Sequence, residues 1–167
     1  MGKVIVVNVD KCYACLGCVV ECAYRRAEAP SEAPLTERIL SKAACHVEAV
    51  RAEPVPLLCN HCEDAPCMAV CPTGALHRLF GGGPVLLEAE RCIGCKACVI
   101  ACPFGMIRLR QDETTVIKCD LCADRLEKGL VPVCVAACPT GALELRELDD
   151  VTAAARRRAA ALLSGVG

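Results

Sequence analysis

At 167 residues the chain has room for one domain or two small ones; 17 of its residues are Cys, Trp is absent, and Tyr and Phe contribute two each. So few large side chains leave Val, Leu and Ala to be supplemented by cross-links of some kind. A formal net charge of −1 excludes a basic footprint for nucleic acid, and no apolar run reaches the ~18 residues of a membrane-inserting span.

The first predicted element is a strand over residues 4–9, in MGKVIVVNVD. This segment lacks the apolar core and cleavage site of a secretory signal, so a cytoplasmic location is expected, where cysteines serve metals or redox chemistry rather than disulfides. The strand enters a first set, C-x2-C-x2-C-x3-C, at Cys12, Cys15, Cys18 and Cys22. Residues 24–58 are the least readable; Pro30 and Pro34 break them, and an alternating run over 46–52 reads as a strand. Cys45, beside that run, reads as a buried structural thiol in preference to a ligand or reactive group.

A second set, C-x2-C-x4-C-x3-C-P, follows at Cys59, Cys62, Cys67 and Cys71. After it come a strand over 75–80, a turn at Gly81, Gly82, Gly83 and Pro84, and a strand over 85–88. The glycines do not lead from a strand into a helix with Lys-Ser/Thr, so they read as a hairpin turn and not a phosphate loop. The third set, C-x2-C-x2-C-x3-C-P, lies at Cys92, Cys95, Cys98 and Cys102, followed by a hairpin in which Ile107 and Leu109 alternate against Val116. The fourth, C-x2-C-x11-C-x3-C-P, is Cys119, Cys122, Cys134 and Cys138; its long gap, 123–133, is either a docking surface or a plain surface loop. PTGALELRE then reads as a strand, and DDVTAAARRRAAALLSG as a helix capped by Asp149 or Asp150 with Gly165 past its end.

The spacing carries the chemistry. A C-x2-C-x2-C loop winds the backbone round one iron–sulfur cube, with peptide N–H groups turned toward sulfur. A fourth cysteine three residues on faces away and serves the other cluster of a pair, and the Pro after it starts a new extended segment. Pro72, Pro103 and Pro139 hold that place, but Ala23 follows Cys22. The competing reading is a structural zinc protein, since paired knuckles also make four-cysteine zinc sites. Zinc, however, has no use for three cysteines at successive three-residue intervals or for a trailing x3-C-P. Four [4Fe–4S] clusters are expected.

Residues from Cys59 to about Lys118, with CPTGAL, ERCIGCKAC and CPFGMI, resemble a bacterial two-cluster ferredoxin, whose two halves exchange their fourth cysteines. The resemblance implies one cluster on Cys59, Cys62, Cys67 and Cys102, and another on Cys92, Cys95, Cys98 and Cys71. The outer sets carry complementary halves of the same unit. They imply one cluster on Cys12, Cys15, Cys18 and Cys138, and one on Cys119, Cys122, Cys134 and Cys22. The expected fold is α+β: two nested ferredoxin-like units with short hairpins and helices, plus a C-terminal helix. Residues 1–58 with 119–148 form the outer unit, 59–118 the inserted one, and 149–167 the tail.

This arrangement, with KCDLCADR and CNHCEDAPCMAVCPTGA, resembles the four-cluster electron-transfer subunits of molybdenum or tungsten pterin enzymes, hydrogenases and CO dehydrogenases. It implies a non-catalytic relay between a larger catalytic subunit, such as an aldehyde oxidoreductase or formate dehydrogenase, and a second redox partner such as a flavoprotein or ferredoxin. Hydrogenase or CO dehydrogenase service is the alternative, and a free polyferredoxin another. The sequence adds no nucleotide fingerprint or catalytic constellation. Four clusters at about −2 each would bring the formal charge to roughly −9, favouring basic partner surfaces. End-to-end self-association is a further expectation. Lys11, Arg91, Lys96 and Lys118 would raise a cluster potential if they pointed inward but read as exposed; Arg25, Arg26 and Arg156–Arg158 read as solvated faces before docking contacts, and His46 and His77 as solvated or structural. His61, inside a cluster loop, is the histidine placed to tune a potential, and Tyr13 either shields its loop or simply packs.

Overall fold

The structure, a computed structural model, describes residues 2–27, 34–78, 82–110 and 114–164. Strand β1 (Lys3–Val7) pairs antiparallel with β8 (Leu143–Glu147), Lys3 lying opposite Glu147 and Val7 opposite Leu143. Neighbours in space, they stand almost a chain length apart in sequence. The predicted strand over 4–9 stops at Val7, because Val9–Lys11 form a 3-10 turn that delivers Cys12 to its loop.

Three further hairpins complete the sheet structure among the described residues: β2 (His46–Val50) with β3 (Glu53–Leu57), β4 (Leu76–Arg78) with β5 (Val85–Leu87), and β6 (Arg108–Leu109) with β7 (Val116–Ile117). The hairpin expected after the second set is β4–β5; Phe80 and Gly81 lie outside the described residues. The run over 46–52 is strand only to Val50, since Arg51 and Ala52 turn with φ of 51° and 69°, and β3, which sequence reasoning missed, returns beside it.

Among the described residues, helices are short except two. α1 (Gly17–Ala27) opens the chain's helical content, and α2 (Glu37–Leu40) packs on it, capped by the Thr36 hydroxyl accepting from the Ile39 N–H. α3 (Pro66–Ala69) packs on α4 (Ala97–Ala101), while α5 (Ala123–Glu127) and α6 (Val133–Ala136) follow the fourth knuckle. α1 is long for a stated reason. Cys71, Cys102 and Cys138 are each followed by Pro and then by a glycine at positive φ (Gly74, Gly105, Gly141; 62° to 65°), which stops the helical turn and releases the next segment. After Cys22 stand Ala23 and Arg25 instead, so the helix runs on to Ala27 with Ala23 fully buried.

The apolar side chains gather in two groups. One joins Cys67, Leu76, Val85, Cys98, Ile107 and Val116; the other joins Cys45, Cys134 and Leu143 with Ile5, Val7, Val19 and Leu58. The terminal helix α7 (Leu148–Ser164) touches β8 at its base and has no buried residue. Asp149 and Asp150 sit inside its first turn, where carboxylates complement the positive end of the helix dipole, instead of capping it from outside; Gly165 lies outside the described residues. No helix among the described residues is long and apolar enough to cross a membrane.

Candidate metal-cluster sites

All four knuckles bend the same way. The residue two places after the first cysteine is left-handed in each: Ala14, His61, Gly94 and Leu121, with φ between 45° and 65°. Only one of these is glycine, so the loops hold strain that something must offset. The offset comes in part from side chains that bond the exposed loop carbonyls. In the second knuckle, Arg78 donates to the carbonyls of His61, Cys62 and Glu63.

The loops bring the cysteines together round four cavities of similar size, with open space of about 320, 370, 330 and 310 Å³ in the order of their first cysteines. Cys12, Cys15, Cys18 and Cys138 line the first. Cys59, Cys62, Cys67 and Cys102 line the second, and Cys92, Cys95, Cys98 and Cys71 the third. The fourth is lined by Cys119, Cys122, Cys134 and Cys22, with Cys45, which belongs to no set, beside them. Each cavity therefore takes three cysteines from one set and the trailing cysteine of another. Among the described residues, no three His, Cys, Asp or Glu side chains converge as they would on a single metal ion.

Hydrogen bonds already point at sulfur. The Ala44, Met106 and Leu121 N–H groups donate to Cys22, Cys102 and Cys119 Sγ at 3.3 to 3.4 Å. Thr73 and Thr140 place hydroxyls 3.8 and 3.7 Å from Cys71 and Cys138 Sγ, the same position of two C-P-T turns. Cys45 is buried against the fourth cavity, its Sγ 3.4 Å from the Cys18 carbonyl oxygen. Its hydrogen bonding is the main cause that brings Cys22 down to about 6 and Cys18 to about 7, and the same contacts push Cys45 itself up. Cys45 stays a thiol while its neighbours favour the thiolate form that binds metal.

Several polar residues differ from what sequence predicts. Lys118 is 2 % exposed and not a surface cation. Arg25 and Arg26 are not a solvated face: they grip Asp120, at 3.0 and 3.7 Å, and Arg25 also pairs with Asp124. The uncapped run of α1 carries both arginines to the fourth loop. Burial would raise the Asp120 carboxyl, but the Cys122 N–H and the two guanidiniums outweigh it and hold the group low. His46 is half-buried, and burial followed by Arg108 lowers it. The predicted gap over 123–133 contains α5 and a turn at Gly129, closed by the Arg125 side chain donating to the Val131 carbonyl at 2.9 Å. The β2–β3 hairpin contributes Val47 and Pro56 to the first cavity. Tyr13, 59 % exposed, stands at that cavity's mouth.

His61 tests whether a sulfide-rich group fits. Its Nδ1 accepts from the Val85 N–H at 3.1 Å, so the hydrogen of the neutral ring sits on Nε2. Burial first, and Lys118 second, push the ring down to about 3, so it is neutral at pH 7. Nε2 is buried with no partner among the described residues, and His61 lines the second cavity. An orphaned donor at a cysteine-ringed cavity fits an acceptor-rich cluster there.

Comparison with known proteins agrees with this chemistry. The 4Fe-4S dicluster domain family matches residues 50–148. Electron transport protein HydN of Escherichia coli K12 is 37% identical across 96% of this chain and 98% of its own length. The chain belongs to the 4Fe-4S dicluster family. Within it, the thiosulfate reductase electron transfer subunit PhsB of Salmonella typhi is 38% identical over 73% of this chain and 64% of its own length. An iron-sulfur protein of Rhodospirillum rubrum is 37% identical over 72% and 68%. As a member of this family, the chain is an iron–sulfur electron-transfer protein whose cofactors are multiple [4Fe–4S] clusters.

Proposed function

We propose that this dicluster-family chain is a four-cluster relay, passing single electrons between a catalytic oxidoreductase subunit and a second redox partner. The observation that carries this reading is the exchange at the cavities, three cysteines from one set and the fourth from another at all four. The ligand sets follow: Cys12, Cys15, Cys18 and Cys138; Cys59, Cys62, Cys67 and Cys102; Cys92, Cys95, Cys98 and Cys71; Cys119, Cys122, Cys134 and Cys22. Cys45 is left out. A [4Fe–4S] cluster on four thiolates supplies one-electron transfer and leaves no open iron for catalysis.

Two units nested in one chain are part of the same reading. The β1–β8 pairing and the separation of the apolar side chains into two groups support it. Residues 59–118 are then a two-cluster unit inserted between 1–58 and 119–148. The cavities holding exposed Cys15 and Cys95 are the two ends, where electrons enter and leave.

The catalytic partner is a tungsten or molybdenum pterin enzyme in the cytoplasm, and a relative that is the electron transfer subunit of a reductase supports service to a larger enzyme. The exposed ends also allow end-to-end contact between copies. Iron and acid-labile sulfide counting on the anaerobically purified chain tests the core of the proposal. About sixteen of each per chain is the expected result, and a zinc-loaded or two-cluster chain sinks it. Co-purification at fixed stoichiometry, with tungsten or molybdenum assayed in the larger chain, tests the partner.

A further inference from the structure

Two polar side chains reach the second cavity in a way that no other cavity matches. Lys118 Nζ lies 2.7 Å from the Val85 carbonyl, 3.0 Å from the Cys119 carbonyl and 3.6 Å from Cys59 Sγ. An ammonium has three N–H donors and no acceptor, so these contacts take all three. On the facing loop, His61 presents its unpartnered Nε2–H. Elsewhere the cations are differently placed. Lys96, at the third cavity, is exposed, and Arg26, at the fourth, is paired with Asp120. Among the described residues, no Lys or Arg lines the first.

Taking up an electron moves a four-thiolate cluster from about −2 to about −3, so a buried positive charge and N–H donors to sulfur favour the reduced form. Burial matters because a charge shielded from water acts more strongly than the same charge on the surface. We propose that Lys118, assisted by His61, makes the cluster held by Cys59, Cys62, Cys67 and Cys102 the most easily reduced of the four. This rests on the four-cluster reading above. One electron, given up by a low-potential one-electron donor, passes to that cluster with no bond made or broken. The relay thus has an interior resting point, reached before electrons accumulate at its ends.

The test is a redox titration, followed by electron paramagnetic resonance, of the iron-loaded full chain and of Lys118→Met, Lys118→Arg and His61→Leu. Iron counts on each preparation separate the two ideas. A wild-type chain short of about sixteen irons defeats the four-cluster reading, whereas full iron with unmoved potentials defeats this one. In K118M the highest-potential step is expected to fall by roughly tenfold or more in its reduction equilibrium, about 59 mV per tenfold for one electron. K118R is expected to stay near wild type, and H61L to lower the same step by less. An unmoved highest step in K118M overturns the proposal, as does a shift confined to another step. Loss of a cluster from K118M and K118R alike also overturns it, because fit and not charge would then be what the site needs. Should K118M alone lose a cluster, H61L decides: a lowered highest step upholds the proposal and an unmoved one ends it.

Discussion

The second and third cavities are built from the same parts. Each has a left-handed knuckle, a short helix carrying a buried third cysteine (Cys67 in α3, Cys98 in α4) and a trailing cysteine from the other set. Their surroundings diverge. The second is walled by Val85, Ile107, His61 and Lys118, while the third opens past exposed Cys95 and past Ile93, which is 67 % exposed. The spacing of cysteines decides that thiolates meet; residues remote in sequence decide how wet and how charged the meeting place is.

The most severe way to probe that comparison is to remove one thiolate from each side. Cys67→Ser and Cys98→Ser are each expected to lose about a quarter of the iron, measured colorimetrically, because in the proposed ligand sets each holds one cluster of four. A loss of half from either would mean the two sites depend on one another more than their separate loops suggest. Solvent access should then tell them apart: in wild type, a chelator challenge after air exposure should strip the third site several-fold faster than the second, read by iron release against time. Equal rates would remove the distinction drawn from Cys95 and Ile93.

Packing effects come next. Val85→Ala, at a side chain 1 % exposed beside the second cavity, should cost about 1–3 kcal/mol in denaturant unfolding of the holo chain. Ile93→Ala, on the exposed rim of the third, should change stability by less than about 0.5 kcal/mol. The remaining comparison concerns pH. His61 has a folded value near 3, below its ordinary 6.5, so the unfolded chain binds the extra proton between those values. Its contribution is whole above pH 6.5 and is lost as pH falls toward 3. His61→Gln should flatten the fall in unfolding free energy over that window, and an unchanged slope would contradict the neutral buried ring.

That three cysteines of one set would line one cavity could be read where spacing is local: Cys12, Cys15 and Cys18, like Cys92, Cys95 and Cys98, fall within seven residues. The β4–β5 and β6–β7 hairpins were legible for a related reason, alternation beside turn residues. The β2–β3 hairpin was not, since Pro54 and Pro56 argue against a strand and Arg51–Ala52 lacks the usual turn chemistry. Lys118 was misread because lysine is seldom buried, and its burial depends on a carbonyl at Val85, 33 residues away. The Arg25–Asp120 contact spans 95 residues, and only the missing proline after Cys22 hinted that α1 would reach so far.

The pairing of β1 with β8 has a consequence in time. A ribosome releases β1 long before β8, so the first strand waits for its partner while everything between them is made. In the proposed ligand sets the loop of Cys12, Cys15 and Cys18 waits as well, three thiols without a fourth until Cys138 emerges. In the same proposed sets, residues 59–118 hold all the ligands of their two clusters and have no such delay. Assembly would then proceed from residues 59–118 outward, with the proposed inserted unit metallated while β1 and β8 are still apart.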